Sequence, residues 1–117
     1  MHNFKDLRVW QSGIEVAKLI FQLTRTYPLE ERYGLIAQLN RCAASIPSNI
    51  AEGCGRKSTK EFYQFLSISL GSSFELETQL ILSSEFGYIE KEHFESIISQ
   101  INEVQKMITG LQKSLHT

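Results

Sequence analysis

Apolar residues recur at every third or fourth position along most of this 117-residue chain, the period of helices that bury one face against each other. The pattern is cleanest near the C-terminus, where Phe94, Ile97, Ile101, Val104, Ile108, Leu111 and Leu115 are spaced 3, 4, 3, 4, 3, 4. That is the seam of a helix packing at a shallow angle, widened by Ile98 and Met107. Upstream, Ser58-Thr59-Lys60-Glu61 reads as a capping box, in which the Ser58 hydroxyl accepts from the Glu61 amide and the Glu61 carboxylate reaches back. Phe62, Leu66, Ser69, Ser73, Leu76 and Leu80 carry the period to about Phe86, and Gly87 ends the helix in the left-handed conformation. Ser67, Ser69, Gly71, Ser72 and Ser73 make its middle narrow, so another helix can approach closely. None of these serines has a histidine nearby to serve as base, so none reads as a nucleophile.

The first half of the chain predicts two more helices. From about Leu7 to Thr26, Trp10, Ile14, Ala17 and Phe21 form one stripe and Val9, Val16, Ile20 and Leu23 another. Two stripes need two partners, either two neighbouring helices or one helix and another subunit. Pro28 breaks the chain, since it disfavours helix in the preceding residue and suits a first turn. The next helix is expected from near Glu30, with Leu35, Leu39, Cys42, Ile46 and Ile50 inward, ending at Gly53-Cys54-Gly55. Pro47 lies inside it, where a proline costs ~3 kcal/mol unless the helix kinks and other groups replace the lost bond. Ser45, Ser48 and Asn49 are placed to do so. One kinked helix is preferred to two short ones capped at Ser45, because the apolar spacing keeps phase across the proline. Four helices joined by short loops make an all-α, antiparallel up-down-up-down four-helix bundle with a kinked second helix, filling residues 1–117 as a single domain.

Composition agrees with this and narrows the function. At 42% hydrophobic and 21% charged the chain is too apolar for disorder and long enough for one core without disulfide or metal. No apolar run approaches the ~18 residues of a membrane span, and the start carries no secretory signal, so a soluble cytoplasmic protein is expected. A net charge of -1 and a pI near 6.3 exclude binding of nucleic acid by bulk charge. Yet residues 1–60 carry nine Lys/Arg against five acids, and residues 61–117 three lysines against eight glutamates. Either basic helices pack beside acidic ones within one fold, or a basic face meets another copy or an anionic partner.

Candidate chemistry is sparse. His2, His93 and His116 have no Asp or Cys at ligand spacing, so no metal and no cofactor is expected. Cys42 and Cys54 would sit ~18 Å apart on a helix, beyond the ~7 Å reach of a disulfide; they read as buried thiols, Cys54 the more reactive for its place beside Arg56 and Lys57. No catalytic constellation emerges, and the chain reads as a non-enzyme. One polar row stands out: Gln38, Arg41, Ser45, Asn49, Glu52 and Arg56, spaced 3, 4, 4, 3, 4, line one face of the second helix. With Glu75 and Glu77 as carboxylate partners for Arg41 or Arg56, the row suits a network within or between subunits, or contact with a ligand. For nucleic acid the best candidates are Arg56, Lys57 and Lys60, at the loop that opens the third helix, where free backbone amides favour phosphate. Lys18 and Arg25 share a face of the first helix. So few charges bind weakly in a monomer, and a ring of copies multiplies them.

Three strings of the chain carry a family resemblance. Phe4-Lys5-Asp6-Leu7-Arg8-Val9-Trp10-Gln11, Ser45-Ile46-Pro47-Ser48-Asn49-Ile50-Ala51-Glu52-Gly53, and Gly71-Ser72 followed by Glu75-Leu76-Glu77-Thr78-Gln79-Leu80 resemble the signatures of the four-helix bundle proteins first noted in intervening sequences of bacterial 23S rRNA genes. The resemblance spans essentially the whole chain and implies an antiparallel bundle that assembles as a homopentamer, with a poorly defined role. It also implies a relative, the accessory variability determinant of diversity-generating retroelements, whose pentameric barrel binds nucleic acid and a reverse transcriptase through basic residues. On this basis the partners expected are further copies of the chain, RNA or DNA, and a nucleic-acid enzyme. Arg41 and Arg56 match basic positions of the motif, and Pro47, Asn49, Gly53 and Gly71 structural ones; Trp10, Glu52, Glu75 and Glu77 complete the expected interface set. The chain departs from the pattern at Asn40, where an arginine commonly precedes Arg41.

Overall fold

The computed structural model describes residues 3–115, so His2 and His116 lie outside the described residues. Four helices account for most of it: α1 (Arg8–Thr24), α2 (Leu35–Cys54), α3 (Thr59–Glu85) and α4 (Lys91–Ser114), with no strand among the described residues. Contacts join α1 to α2, α2 to α3, α3 to α4 and α4 back to α1, without a diagonal pair, so the helices form a square bundle about 45 × 25 × 20 Å. Register across the seams makes neighbours antiparallel. Gly13 of α1 faces Pro47 of α2, and Thr24 donates to Asn40 at 3.3 Å. Gln79 of α3 donates to Gln38 of α2 at 3.1 Å, while Ser72 meets Ser45 at 2.8 Å. Across α3 and α4, Gln112 donates to Ser67 at 2.9 Å and Gln105 to Glu77 at 2.9 Å.

The core follows the apolar period. Ile20, Leu39, Ile46, Ile50, Leu66, Leu76, Leu80, Ile97, Ile101 and Ile108 are fully buried, each contributing on the order of 1.5–3 kcal/mol by leaving water. In α1 the stripe Val9, Val16, Ile20 and Leu23 is buried as expected. The other stripe is covered only in part, with Ala17 buried and Trp10 packed against the core. A single 3-10 turn at Phe4–Asp6 folds back so that Phe4 meets Trp10 edge-on at 5.2 Å, Ile14 is half-buried, and Phe21 stays exposed.

Two local features depart from the sequence expectation, the start of α2 and the place of Gly71, while the Ser58 cap bears it out. α2 begins at Leu35, five residues later than the start expected near Glu30; residues Leu29–Glu31 form a separate 3-10 turn, from which the Glu31 carboxylate accepts the Leu35 amide at 3.4 Å. The Glu61 carboxylate accepts from the Ser58 hydroxyl at 3.2 Å, which in turn accepts the Glu61 amide at 3.0 Å, so the capping box closes through side chains. Gly71 faces outward with nothing within 4 Å of a Cβ added there, so it serves no close packing within the bundle. Gly87, by contrast, ends α3 as expected, at φ 82, with Tyr88 donating to Ser83 at 2.9 Å and Gly87 to Ser84 at 3.0 Å.

α2 continues unbroken through Pro47, which excludes two short helices. Groups around the proline are bonded by side chains. Asn49 donates to the Ser45 carbonyl at 2.8 Å and to its hydroxyl at 2.9 Å, and Ser69 of α3 donates to the Ile46 carbonyl at 2.9 Å. One turn further on, α2 and α3 approach so closely at Gly53 that a Cβ there would stand 2.6 Å from the Phe65 Cβ.

Candidate nucleic-acid interface

An antiparallel bundle returns both halves of the chain to each end, and this re-sorts the charge. One end collects the start of α1, the α2–α3 connection and the last turns of α4, hence Lys5, Arg8, Arg56, Lys57, Lys60, Lys106 and Lys113. Against these seven cations stand Asp6, Glu52, Glu61 and, further in, Glu103. The opposite end carries Arg25, Arg32 and Lys91 against Glu30, Glu31, Glu85, Glu90, Glu92 and Glu95. The bundle therefore has a basic and an acidic end, a separation along its long axis to which both halves of the sequence contribute.

The basic end has two kinds of cation. Arg56 is half-buried and fixed: its Nη2 donates to Glu52 Oε2 at 2.8 Å and its guanidinium lies 4.8 Å above the Phe65 ring. Its Nε is buried without a hydrogen-bond partner. Lys57 and Lys60 are exposed and make no ion pair with another described residue. Both stand at the N-terminus of α3, whose free amides add local positive potential, while the C-termini of α2 and α4 at the same end offset the helix dipoles over the end as a whole. Beside them, Thr59, Lys60, Tyr63, Gln64, Ser67, Ile68 and Leu115 line an open groove of about 860 Å³. Lys18 pairs with Glu15 at 3.4 Å midway along α1, and Arg25 stands exposed beyond the far end of that helix, so neither joins the cluster.

The polar row of α2 runs partly along its seam with α3. Gln38 accepts from Gln79, Ser45 meets Ser72, Asn49 holds Ser45, and Glu52 holds Arg56. Arg41 projects into solvent. The expected carboxylate partnerships do not form. Glu77 turns to α4, accepting from Gln105 at 2.9 Å and Asn102 at 3.4 Å. Glu75 accepts from Gln79 at 3.3 Å, and Arg56, just past the end of α2, is already paired with Glu52. Gln79 was not singled out by the sequence, although a glutamine on the buried side of α3 between Leu76 and Leu80 was the available signal.

Both thiols are buried, and no disulfide joins them. Burial, then the neighbouring Glu75 carboxylate, push the Cys42 thiol up to about 11. Burial also raises Cys54, so the expected reactivity is not supported. Among the described residues no three His, Cys, Asp or Glu side chains cluster as metal ligands.

α3 is apolar on nearly every side. Besides its buried residues it leaves Tyr63, Ile68, Phe74, Ile81, Leu82 and Phe86 about half-exposed, and residues 62–74 contain no charge. Such a surface is unusual for a helix with solvent on its outer side.

Comparison with known proteins places this geometry in context. A family model described as 23S rRNA-intervening sequence protein matches residues 5–110. A solved structure of a protein of unknown function from Bacteroides thetaiotaomicron, assigned to the S23 ribosomal protein family, superposes with a TM-score of 0.84 at 29% identity, covering 90% of this chain and 95% of that one. No curated protein sequence matches the chain.

Proposed function

The chain belongs to the family of 23S rRNA-intervening sequence proteins, and from that premise we propose that it is a non-enzymatic, cytoplasmic homo-oligomer whose basic end associates with RNA or DNA, or with an enzyme acting on them. The observation that carries this reading is the gathering of seven cations at one end, among them Lys57 and Lys60 in solvent at the start of α3. Assembly supplies the multiplicity that one bundle lacks. A second copy laid on the outer face of α3 would cover Ile68, Phe74 and Ile81 and set two basic ends side by side. The family resemblance implies five copies, and affinity for phosphate rises steeply with the charges neutralised. Fluorescence-anisotropy titration of labelled RNA and DNA at two salt concentrations tests the reading. Binding that weakens steeply with salt, and that Lys57→Glu/Lys60→Glu removes, is expected; no binding at low salt by an intact assembly would sink it.

A second reading, a structural scaffold, is favoured by the α3 face itself, which needs cover whether or not nucleic acid is present. On that reading Arg41→Ala or Arg56→Ala dissociates the assembly in light scattering. Under nucleic-acid association both changes leave the mass intact, and Arg56→Ala, at the basic end, weakens binding.

A further inference from the structure

The three most exposed large apolar side chains among the described residues are Tyr33 (87% exposed), Leu29 (70%) and Phe86 (59%). All three lie at the acidic end, in the α1–α2 connection or at the last residue before the α3–α4 turn. They stand on a braced base. The Tyr88 hydroxyl donates to Glu31 Oε2 at 2.9 Å, while Glu31 Oε1 accepts the Leu35 amide, so one carboxylate ties both connections to the start of α2. The Tyr88 ring packs 5.2 Å from Tyr27 and 5.9 Å from Phe86, and the Arg32 guanidinium covers Tyr33 at 5.4 Å. Exposed Glu30, Glu85, Glu90 and Glu92 lie at this same end and, with Glu31 and Glu95, outnumber Arg25, Arg32 and Lys91. The result is a group of apolar knobs held in a negative field.

We propose that this end docks a cationic polypeptide segment, one that carries Lys or Arg together with apolar anchors. Charge removes the other occupants. Nucleic acid and anionic lipid share the sign the end already has. Two copies meeting acidic end to acidic end repel. Meeting acidic end to basic end, they satisfy charge, but the α2–α3 connection itself exposes only Gly55, Lys57, Ser58, Thr59 and Lys60, and the apolar groove beside it, at Tyr63, Ile68 and Leu115, runs along the flank of α3 that is assigned to a neighbouring copy. A segment with both properties pairs its cations with the glutamates and buries the aromatic and leucine side chains. Aromatic anchors of this kind carry most of the energy at protein interfaces, whereas rim charges set the rate and the choice of partner. This surface is independent of the nucleic-acid reading, which concerns the opposite end.

The test uses the full chain and three labelled synthetic peptides: an amphipathic lysine/leucine peptide, a lysine/serine peptide of equal charge, and a glutamate/leucine peptide. Anisotropy should show binding of the first, with the other two weaker by about tenfold or more, and amide hydrogen exchange should slow in residues 27–34 and 86–92. Leu29→Ser/Tyr33→Ser, both exposed and outside the core, should weaken binding by about tenfold with helicity and assembly mass unchanged. Equal binding by that variant, protection mapping to another face, or equal binding of the glutamate/leucine peptide would overturn the assignment. A fall in assembly mass in the variant would also overturn it, by giving these side chains to a contact between copies.

Discussion

α3 and α4 lie side by side and are similar in length, 27 and 24 residues, yet only one of them is finished by the bundle. α4 buries Ile97, Ile101, Val104 and Ile108 and turns Glu95, Gln100, Glu103 and Lys106 to water. α3 buries Phe62, Leu66, Leu76 and Leu80 and then turns Ile68, Phe74, Ile81 and Leu82 to water as well. The bundle needs one apolar stripe from each helix. An additional stripe carries no benefit in a monomer, and its presence on α3 argues for a further protein surface against it. The same contrast appears at the helix starts: Ser58 caps α3 through its side chain, and Glu90 offers α4 no such bond.

The sharpest way to break the comparison is to truncate an isoleucine on each helix. Ile101→Ala on α4, fully buried, should lower stability by ~2–5 kcal/mol in denaturant titration. Ile81→Ala on α3, 44% exposed, should leave the bundle's own stability within ~0.5 kcal/mol and weaken association instead, read by dilution of the assembly. Next in size is Gly53→Ala, which forces α3 away at Phe65 and should cost ~1–3 kcal/mol in thermal melts. Gly71→Ala, at a position open in the bundle, should not destabilise it.

Of similar order to Gly53→Ala is an effect of alkaline pH. Because the folded state holds the Cys42 proton above its ordinary 9.0, to about 11, the unfolded chain ionises first. The contribution to stability is whole below 9.0, falls as pH rises between the two values, and is lost above about 11. Cys42→Ala should flatten that alkaline limb in melts taken across this range. The smallest contrast is at the caps: Ser58→Ala should destabilise by ~1 kcal/mol, and Glu90→Ala by much less.

Much of this architecture was legible from period alone. The α4 seam, the Ser58 cap, the Gly87 stop and the unbroken passage through Pro47 are local properties, and local chemistry decides them. The start of α2 was not legible because a lone 3-10 turn at Leu29–Glu31 looks, in sequence, like the first turn of a longer helix. Gly71 looked like a packing residue because periodicity marks a small position without saying whether it faces a neighbour. The partners of Glu75 and Glu77 depend on the rotation of α3 about its axis, which two acids separated by one residue leave open. Charge by sequence halves suggests faces, whereas antiparallel connections mix the two halves at each end, so the polarity along the bundle appears only once the topology is known.

The central claim, that another copy covers the outer face of α3, is tested most directly by sedimentation of the full chain beside its Phe74→Glu/Ile81→Glu variant. The account predicts a native particle several times the 13.4 kDa chain mass, five times on the family resemblance, and a helical variant that sediments as a single chain. A native protein that remains a 13.4 kDa monomer at micromolar concentration, or a variant whose mass is unchanged, would contradict it.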